Sequence, residues 1–151
     1  MENSTQKIFF QSVKHGSEAY KQTVALRRDV LRIPLGLDFT EAELSSENDS
    51  FHLALWREGE MVACLILKPV SEKSIKMRQV AVSKPFQNQG LGKLLVAYAE
   101  AFAKSLGFAK IELHAREAAV RFYLKQHGYA VVGDVFEEVG LPHFKMEKAL
   151  V

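Results

Sequence analysis

The stretch from Ser74 to Leu106 restricts the fold most, because the hydrophobic period changes inside it. Ser74 to Val82 alternates as a strand does: Ile75, Met77, Gln79 and Ala81 are expected on one face, Lys76, Arg78, Val80 and Val82 on the other. From Gly90 the period is helical. Leu91, Leu94, Leu95, Tyr98, Ala99, Phe102 and Leu106 make one stripe, and Gly107 ends it. A short strand, Lys110 to His114, follows. Strand, crossover helix and strand imply a parallel pair with a right-handed connection. The entry to that helix reads Gln87-Asn88-Gln89-Gly90-Leu91-Gly92-Lys93. The first N–H groups of a helix have no intrahelical acceptor and lie at its positive end, which suits them to phosphate oxygens. Gly90 and Gly92, lacking Cβ, let an anion reach the main chain. The spacing fits neither Gly-x-x-x-x-Gly-Lys-Ser/Thr nor Gly-x-Gly-x-x-Gly, since residue 95 is Leu.

The rest of the chain supplies the partners of this unit. Residues 7–13 read as a strand, and Ser17 as the N-cap of a helix with a Tyr20, Val24, Leu26, Val30, Leu31 stripe that stops at Pro34-Leu35-Gly36. Thr40 with Glu43 predicts a capping box on a short second helix, and residues 45–50 read as a polar loop. Strands at 51–56 and 61–67 flank Glu58-Gly59-Glu60, a helix spans about 117–127 before Gly128, and strands at 129–137 and 143–150 flank Gly140-Leu141-Pro142. One mixed α/β domain over residues 1–151 is expected. With 48% hydrophobic residues in 151, the chain can offset its folding entropy. A net charge of +2 gives no case for nucleic acid. One cysteine, Cys64, excludes an internal disulfide and a cysteine-rich zinc site. It reads as core, as does Trp56. No metal is expected. The longest apolar run, Met61 to Leu67, is seven residues, and a membrane span needs about 20. Met1 to Lys7 has no leader pattern, so a cytoplasmic protein without membrane contact is expected.

Gln87-Asn88-Gln89-Gly90-Leu91-Gly92 resembles the Gln/Arg-x-x-Gly-x-Gly/Ala motif of the GNAT family of N-acetyltransferases. Arg78-Gln79-Val80-Ala81-Val82 upstream, Leu94-Leu95 downstream and Ala115-Arg116-Glu117-Ala118-Ala119-Val120-Arg121-Phe122-Tyr123 extend the likeness, as does the order of elements. The resemblance implies a mostly antiparallel sheet of about seven strands with helices on both faces. Its parallel pair would be bulged and splayed. It also implies acetyl-coenzyme A as co-substrate, with its pyrophosphate on Gln87, Asn88, Gln89, Gly90, Leu91, Gly92 and Lys93. The pantetheine arm would pair with Val80, Ala81 and Val82 as an added strand. An N–H near Val80 or Ala81 would polarise the thioester carbonyl. Tyr123, in the Ala-x-x-x-Tyr pattern met with Ala119, is implied to be the acid that protonates the departing thiolate. Two departures stand out: Arg116 replaces a common Asn at a cofactor position, and four residues rather than three separate Tyr123 from Gly128.

The expected acceptor is a small-molecule primary amine. The alternatives are a protein or peptide amine, and a non-catalytic acyl-coenzyme A sensor. Candidates to accept the amine proton are His143, His114, Glu112 and the pair Glu137-Glu138. Leu141-Pro142-His143-Phe144-Lys145-Met146 and Arg27-Arg28-Asp29-Val30-Leu31-Arg32 are similar to segments of a small bacterial single-domain subfamily. The resemblance sets His143 and Arg27 beside the acceptor; His114, at a strand end, is a further candidate there on its chemistry alone. The last strand is a candidate for pairing across a homodimer.

Overall fold

The structure, a computed structural model, describes residues 7–151; the leader-free reading of the N-terminus falls mostly outside them. The elements in chain order are β1 (Ile8–Val13), α1 (Glu18–Arg27), α2 (Glu41–Ser46), β2 (Phe51–Arg57), β3 (Glu60–Pro69), β4 (Ser74–Val82), α3 (Leu91–Ser105), β5 (Lys110–Arg116), α4 (Glu117–His127), β6 (Ala130–Glu138) and β7 (Leu141–Ala149). The described residues form one seven-stranded sheet, ordered β1-β2-β3-β4-β5-β7-β6, antiparallel except for β4 with β5. Local chemistry sets the helix starts. Ser17 accepts from the Tyr20 N–H, and Thr40 and Glu43 close the predicted capping box. The expected loop at 45–50 is instead the end of α2 and a tight turn, Glu47–Asp49.

Two layers of core hold the sheet. Val13, Tyr20, Val24, Ala54 and Met61 pack α1 on one face. Leu91, Leu95, Val96 and Ala99 of α3, with Tyr123 of α4, cover Leu53, Leu65, Leu67, Ile111 and Leu113 on the other. Burying each such side chain fully contributes roughly 1.5–3 kcal/mol. Cys64 is core as expected, whereas Trp56 is half-buried, its ring stacked on exposed Phe9.

The expected alternation along β4 breaks. Met77 opposes Leu67 and Arg78 opposes Ile66, but Ala81 opposes Cys64 and Val82 opposes Ala63, so Gln79 and Val80 together face Leu65. This bulge reverses the faces: Ile75 and Met77 share a side with Val80 and Val82, while Gln79 and Ala81 join Lys76 and Arg78. Pairing of β4 with β5 also stops at Met77 and Leu113, so the two strands diverge beyond it.

Three further expectations are corrected. The first helix does not run evenly to Pro34: α1 ends at Arg27 and a wide π-type turn, Arg28–Arg32, follows. The final turn is tighter than read, because β7 begins at Leu141. Pro142 fits there because β7 pairs with β5 only from His143 onward, so its missing N–H breaks no ladder on that side. Finally, β7 has neighbours on both sides, and the edges are β1 and β6. The last strand therefore has no free edge to offer a second copy.

Candidate active site

Beyond Val82 the chain makes one tight turn, Lys84–Phe86, closed by the Phe86 N–H on the Ser83 carbonyl at 2.8 Å. The Gln87 amide donates to the Val82 carbonyl at 2.9 Å and ties the loop to the strand. Asn88 and Gly90 then take positive φ, +64° and +80°. The N–H groups of Asn88, Gln89 and Gly90 meet no backbone acceptor among the described residues. Those of Leu91, Gly92 and Lys93 lie in the first turn of α3, where none is intrinsic to a helix. These residues border a cavity of about 510 Å³, lined by Val80, Val82, Gln87, Asn88, Gly90, Leu91, Gly92 and Lys93 from the expected cofactor set.

Ala81 and Gln89 do not line it. Ala81 is buried on the α1 face against Cys64, and the Gln89 side chain is held by Arg57 at 2.8 Å and the Pro85 carbonyl at 3.3 Å. Val30, Phe86, Phe122 and Gln126, which sequence reasoning did not assign, also line the cavity. Phe122 was visible beside Tyr123, but an aromatic residue next to another in a helix reads equally well as core.

The bulge has a strut. Arg27, fully buried, meets the Glu47 carboxylate through both terminal nitrogens, at 2.9 and 2.8 Å. Its Nη1 also donates to Gln79 Oε1 at 2.8 Å, while Tyr20 donates to Glu47 at 2.7 Å. Burial acts to raise the Glu47 pKa, but the hydrogen bonds from Arg27 and Tyr20 outweigh it and hold the carboxyl below its ordinary value. Gln79 is the bulge residue, with φ +51°. The structure thus places Arg27 behind the bulge and not beside an acceptor. A cation with no exposure and a paired carboxylate cannot select a ligand.

A second cavity, about 310 Å³, opens between the diverging strands. Leu31 and Arg32 of the wide turn border it, with Lys76 to Val80 of β4, Leu113 to Arg116 of β5, Ala119 and Tyr123 of α4, and Glu138, Val139 and His143 from β6, β7 and their turn. His114 and His143 therefore share one wall, and Glu138 lies between them. His114 Nδ1 is 2.9 Å from Glu138 Oε1, and His143 Nε2 is 3.8 Å from Oε2. His143 Nδ1 donates to the Leu141 carbonyl at 2.9 Å, which leaves Nε2 directed at the carboxylate. Burial is the largest influence and tends to raise the Glu138 pKa, but the His114 hydrogen bond together with the charges of His114, His143 and Lys76 outweighs it and favours the anion. Glu137 and Glu112 line neither cavity, and Glu112 is paired with Lys145 at 3.2 Å. Arg28 is paired with Asp38. Arg116, expected at the cofactor, lines this second cavity instead and donates to the Leu31 carbonyl at 3.2 Å.

Val80, Ala119 and Tyr123 line both cavities. The Tyr123 hydroxyl makes no hydrogen bond among the described residues, and burial pushes its pKa upward, so the phenol keeps its proton at neutral pH. The extra residue after it does not distort α4. The helix runs to His127, Gly128 takes φ +74°, and the N–H groups of Gly128 and Tyr129 both reach the Tyr123 carbonyl. Among the described residues no helix is long and apolar enough to cross a membrane, and no group of His, Cys, Asp and Glu could hold a metal.

Known proteins resemble this chain in sequence and fold. Protein YyaT of Bacillus subtilis is 30% identical over 139 residues, 85% of this chain and 92% of its own length. The crystal structure of a Lactobacillus plantarum protein assigned as an N-acetyltransferase matches with a TM-score of 0.81 at 26% identity, over 98% of this chain and 100% of that one. An acetyltransferase of the same family from Elizabethkingia anophelis, solved with acetyl-CoA bound, has the same fold, with a TM-score of 0.72 at 16% identity over 95% and 98% of the two chains. The sequence model of the acetyltransferase (GNAT) family matches residues 19–129. The chain belongs to the acetyltransferase (GNAT) family of acyl-CoA N-acyltransferases.

Proposed function

We propose that this protein transfers an acetyl group from acetyl-coenzyme A directly to a primary amine of a small molecule, with both substrates bound at once. One observation carries the reading: two cavities of different chemistry meet at Val80, Ala119 and Tyr123. The larger cavity suits the coenzyme. Its free N–H groups face where a pyrophosphate can lie, and the divergence of β4 from β5 leaves backbone groups for the amide-rich arm. A family member of this fold binds acetyl-CoA. The smaller cavity suits an acceptor entering from the other side.

At the junction the amine nitrogen attacks the thioester carbonyl carbon, and the main chain at the bulge, near Val80, stabilises the oxyanion. The C–N bond forms and the C–S bond breaks. Tyr123 gives its proton to the sulfur, and the amine proton leaves toward the His114, Glu138, His143 wall. A phenol held protonated by burial suits the donor role. A carboxylate kept anionic beside an imidazole suits the acceptor role.

Thiol release, followed with acetyl-CoA over a broad amine panel, is the test. Turnover is expected for the wild type, and Tyr123→Phe should lower kcat about 100-fold or more. Its KM for acetyl-CoA should stay within about twofold, because the phenol acts on the transition state. Failure to bind acetyl-CoA or to release thiol with any amine would sink the reading.

A further inference from the structure

We propose that the acceptor amine also carries an oxyanion, a carboxylate or phosphate, held by Arg32, Arg78 and Arg116 in the smaller cavity. This rests on the acetyltransferase reading and names the substrate class for the same site.

The charges around that cavity are unbalanced. Arg32, Lys76, Arg78 and Arg116 line it, against one carboxylate, Glu138, which His114 already engages. All four cations are half-buried. Elsewhere most half-buried or buried cations have acidic partners: Arg27 has Glu47, Lys110 has Glu147, and Lys148 has Glu100, while half-buried Arg57 bonds the Gln89 amide. None of the three cavity arginines has a carboxylate within ion-pair distance among the described residues. Arg78 makes no side-chain hydrogen bond there either. Arg32 lies over the Phe39 ring at 4.7 Å; burial first, then the like charges of Arg116, Arg27 and Arg78, disfavour its ionised form against the opposing pull of Glu43.

Unpaired, partly desolvated cations of one sign are costly, and a bound anion offsets that cost. The wide turn helps assemble the group. Arg32 and Arg116 both donate to the Leu31 carbonyl, at 3.3 and 3.2 Å, so residues 84 positions apart in the chain converge on one atom. Pro34, three residues beyond Leu31, has no N–H to take that carbonyl. Planar guanidinium forks suit carboxylate and phosphate, and the same field repels polycationic acceptors.

The experiment compares matched acceptors in the thiol-release assay. Free amino acids are set against their amides, phosphoethanolamine against ethanolamine, and spermidine and an aminoglycoside serve as polycations. At least tenfold higher kcat/KM for the anionic member of a pair is expected; the amino-acid and phosphoethanolamine arms tell carboxylate from phosphate. Arg78→Met should raise the KM of that acceptor at least tenfold and leave the KM for acetyl-CoA unchanged, with Arg78→Lys recovering part of the loss. A second readout needs no turnover: calorimetric titration of inorganic phosphate into protein saturated with coenzyme A, which keeps the glycine loop occupied. Binding that Arg78→Met and Arg32→Met abolish supports the proposal even if no acceptor in the panel reacts. Polycations or neutral amines as the best acceptors, or, where no acceptor reacts, phosphate binding absent or unchanged by the variants, overturn it alone. Failure of coenzyme A to bind would instead bring down the acetyltransferase reading beneath it.

Discussion

At the scale of single residues, the two glycines of the loop have different reasons to be glycine. Gly90 has open space around its missing Cβ but sits at φ +80°, so any side chain there strains the backbone by roughly 1–2 kcal/mol. Gly92 is helical, and a Cβ there would touch Val82 Cγ2 at 3.5 Å, an ordinary contact, on the wall of the larger cavity. Gly92→Ala is therefore expected to keep or raise stability, by up to about 1 kcal/mol from helix propensity, while raising the KM for acetyl-CoA several-fold. Thermal denaturation and steady-state kinetics on one preparation separate the two effects; loss of stability without a change in KM would contradict the assignment. The loop was legible because a bare helix start and two glycines already specify an anion seat. Arg27 was not. Arg27, Arg28 and Arg32 look alike in sequence, and only folding brings Glu47 and Gln79 to the first, Asp38 to the second and the cavity to the third.

At the scale of elements, the bulge in β4 creates the junction, and Arg27 of α1 holds it. By periodicity alone residues 75–82 read as an unbroken strand, and only the family resemblance implies the bulge, because a bulge adds a residue without changing composition. Its location depends on what lies opposite, which a period count does not contain. Two substitutions separate stability from positioning. Arg27→Met leaves Glu47 buried without its counter-charge and should cost about 3–5 kcal/mol, seen as a lower denaturant midpoint. Gln79→Gly keeps the positive φ at no steric cost but removes the side chain that Arg27 holds. Stability should then change by about 1 kcal/mol or less, while kcat falls and the KM for acetyl-CoA stays put. An unchanged kcat would mean that Gln79 does not position Val80.

At the scale of the whole molecule, the strand and helix order was legible because each element carries its own period and stop signal, and short connections left few topologies. The smaller cavity was not, since its wall draws on the wide turn, β4, β5, α4 and the β6–β7 turn. By sequence Lys76 and Arg78 in particular are placed only on one face of a strand, and folding makes that face part of the cavity wall. Buried titratable groups spread through the fold also give it a definite response to acid. Burial holds the His52 and His127 imidazoles below their ordinary 6.5, and among the described residues His52 Nε2 donates only to the Glu47 carbonyl, at 2.8 Å. As pH falls through 6.5, the unfolded chain takes up protons that the native chain refuses, so stability declines from there toward the lower native values. Glu47, held below its ordinary 4.5, adds a further loss once pH drops beneath 4.5, for the same reason. Above pH 7 these three groups contribute no slope. Urea midpoints measured from pH 8 to pH 4 should therefore be level, then fall below about 6.5, and fall more steeply below 4.5. His52→Gln should flatten the upper part of that decline and leave the lower part in place. A midpoint constant from pH 7.5 to 5 would show that the buried imidazoles are not kept neutral by the fold.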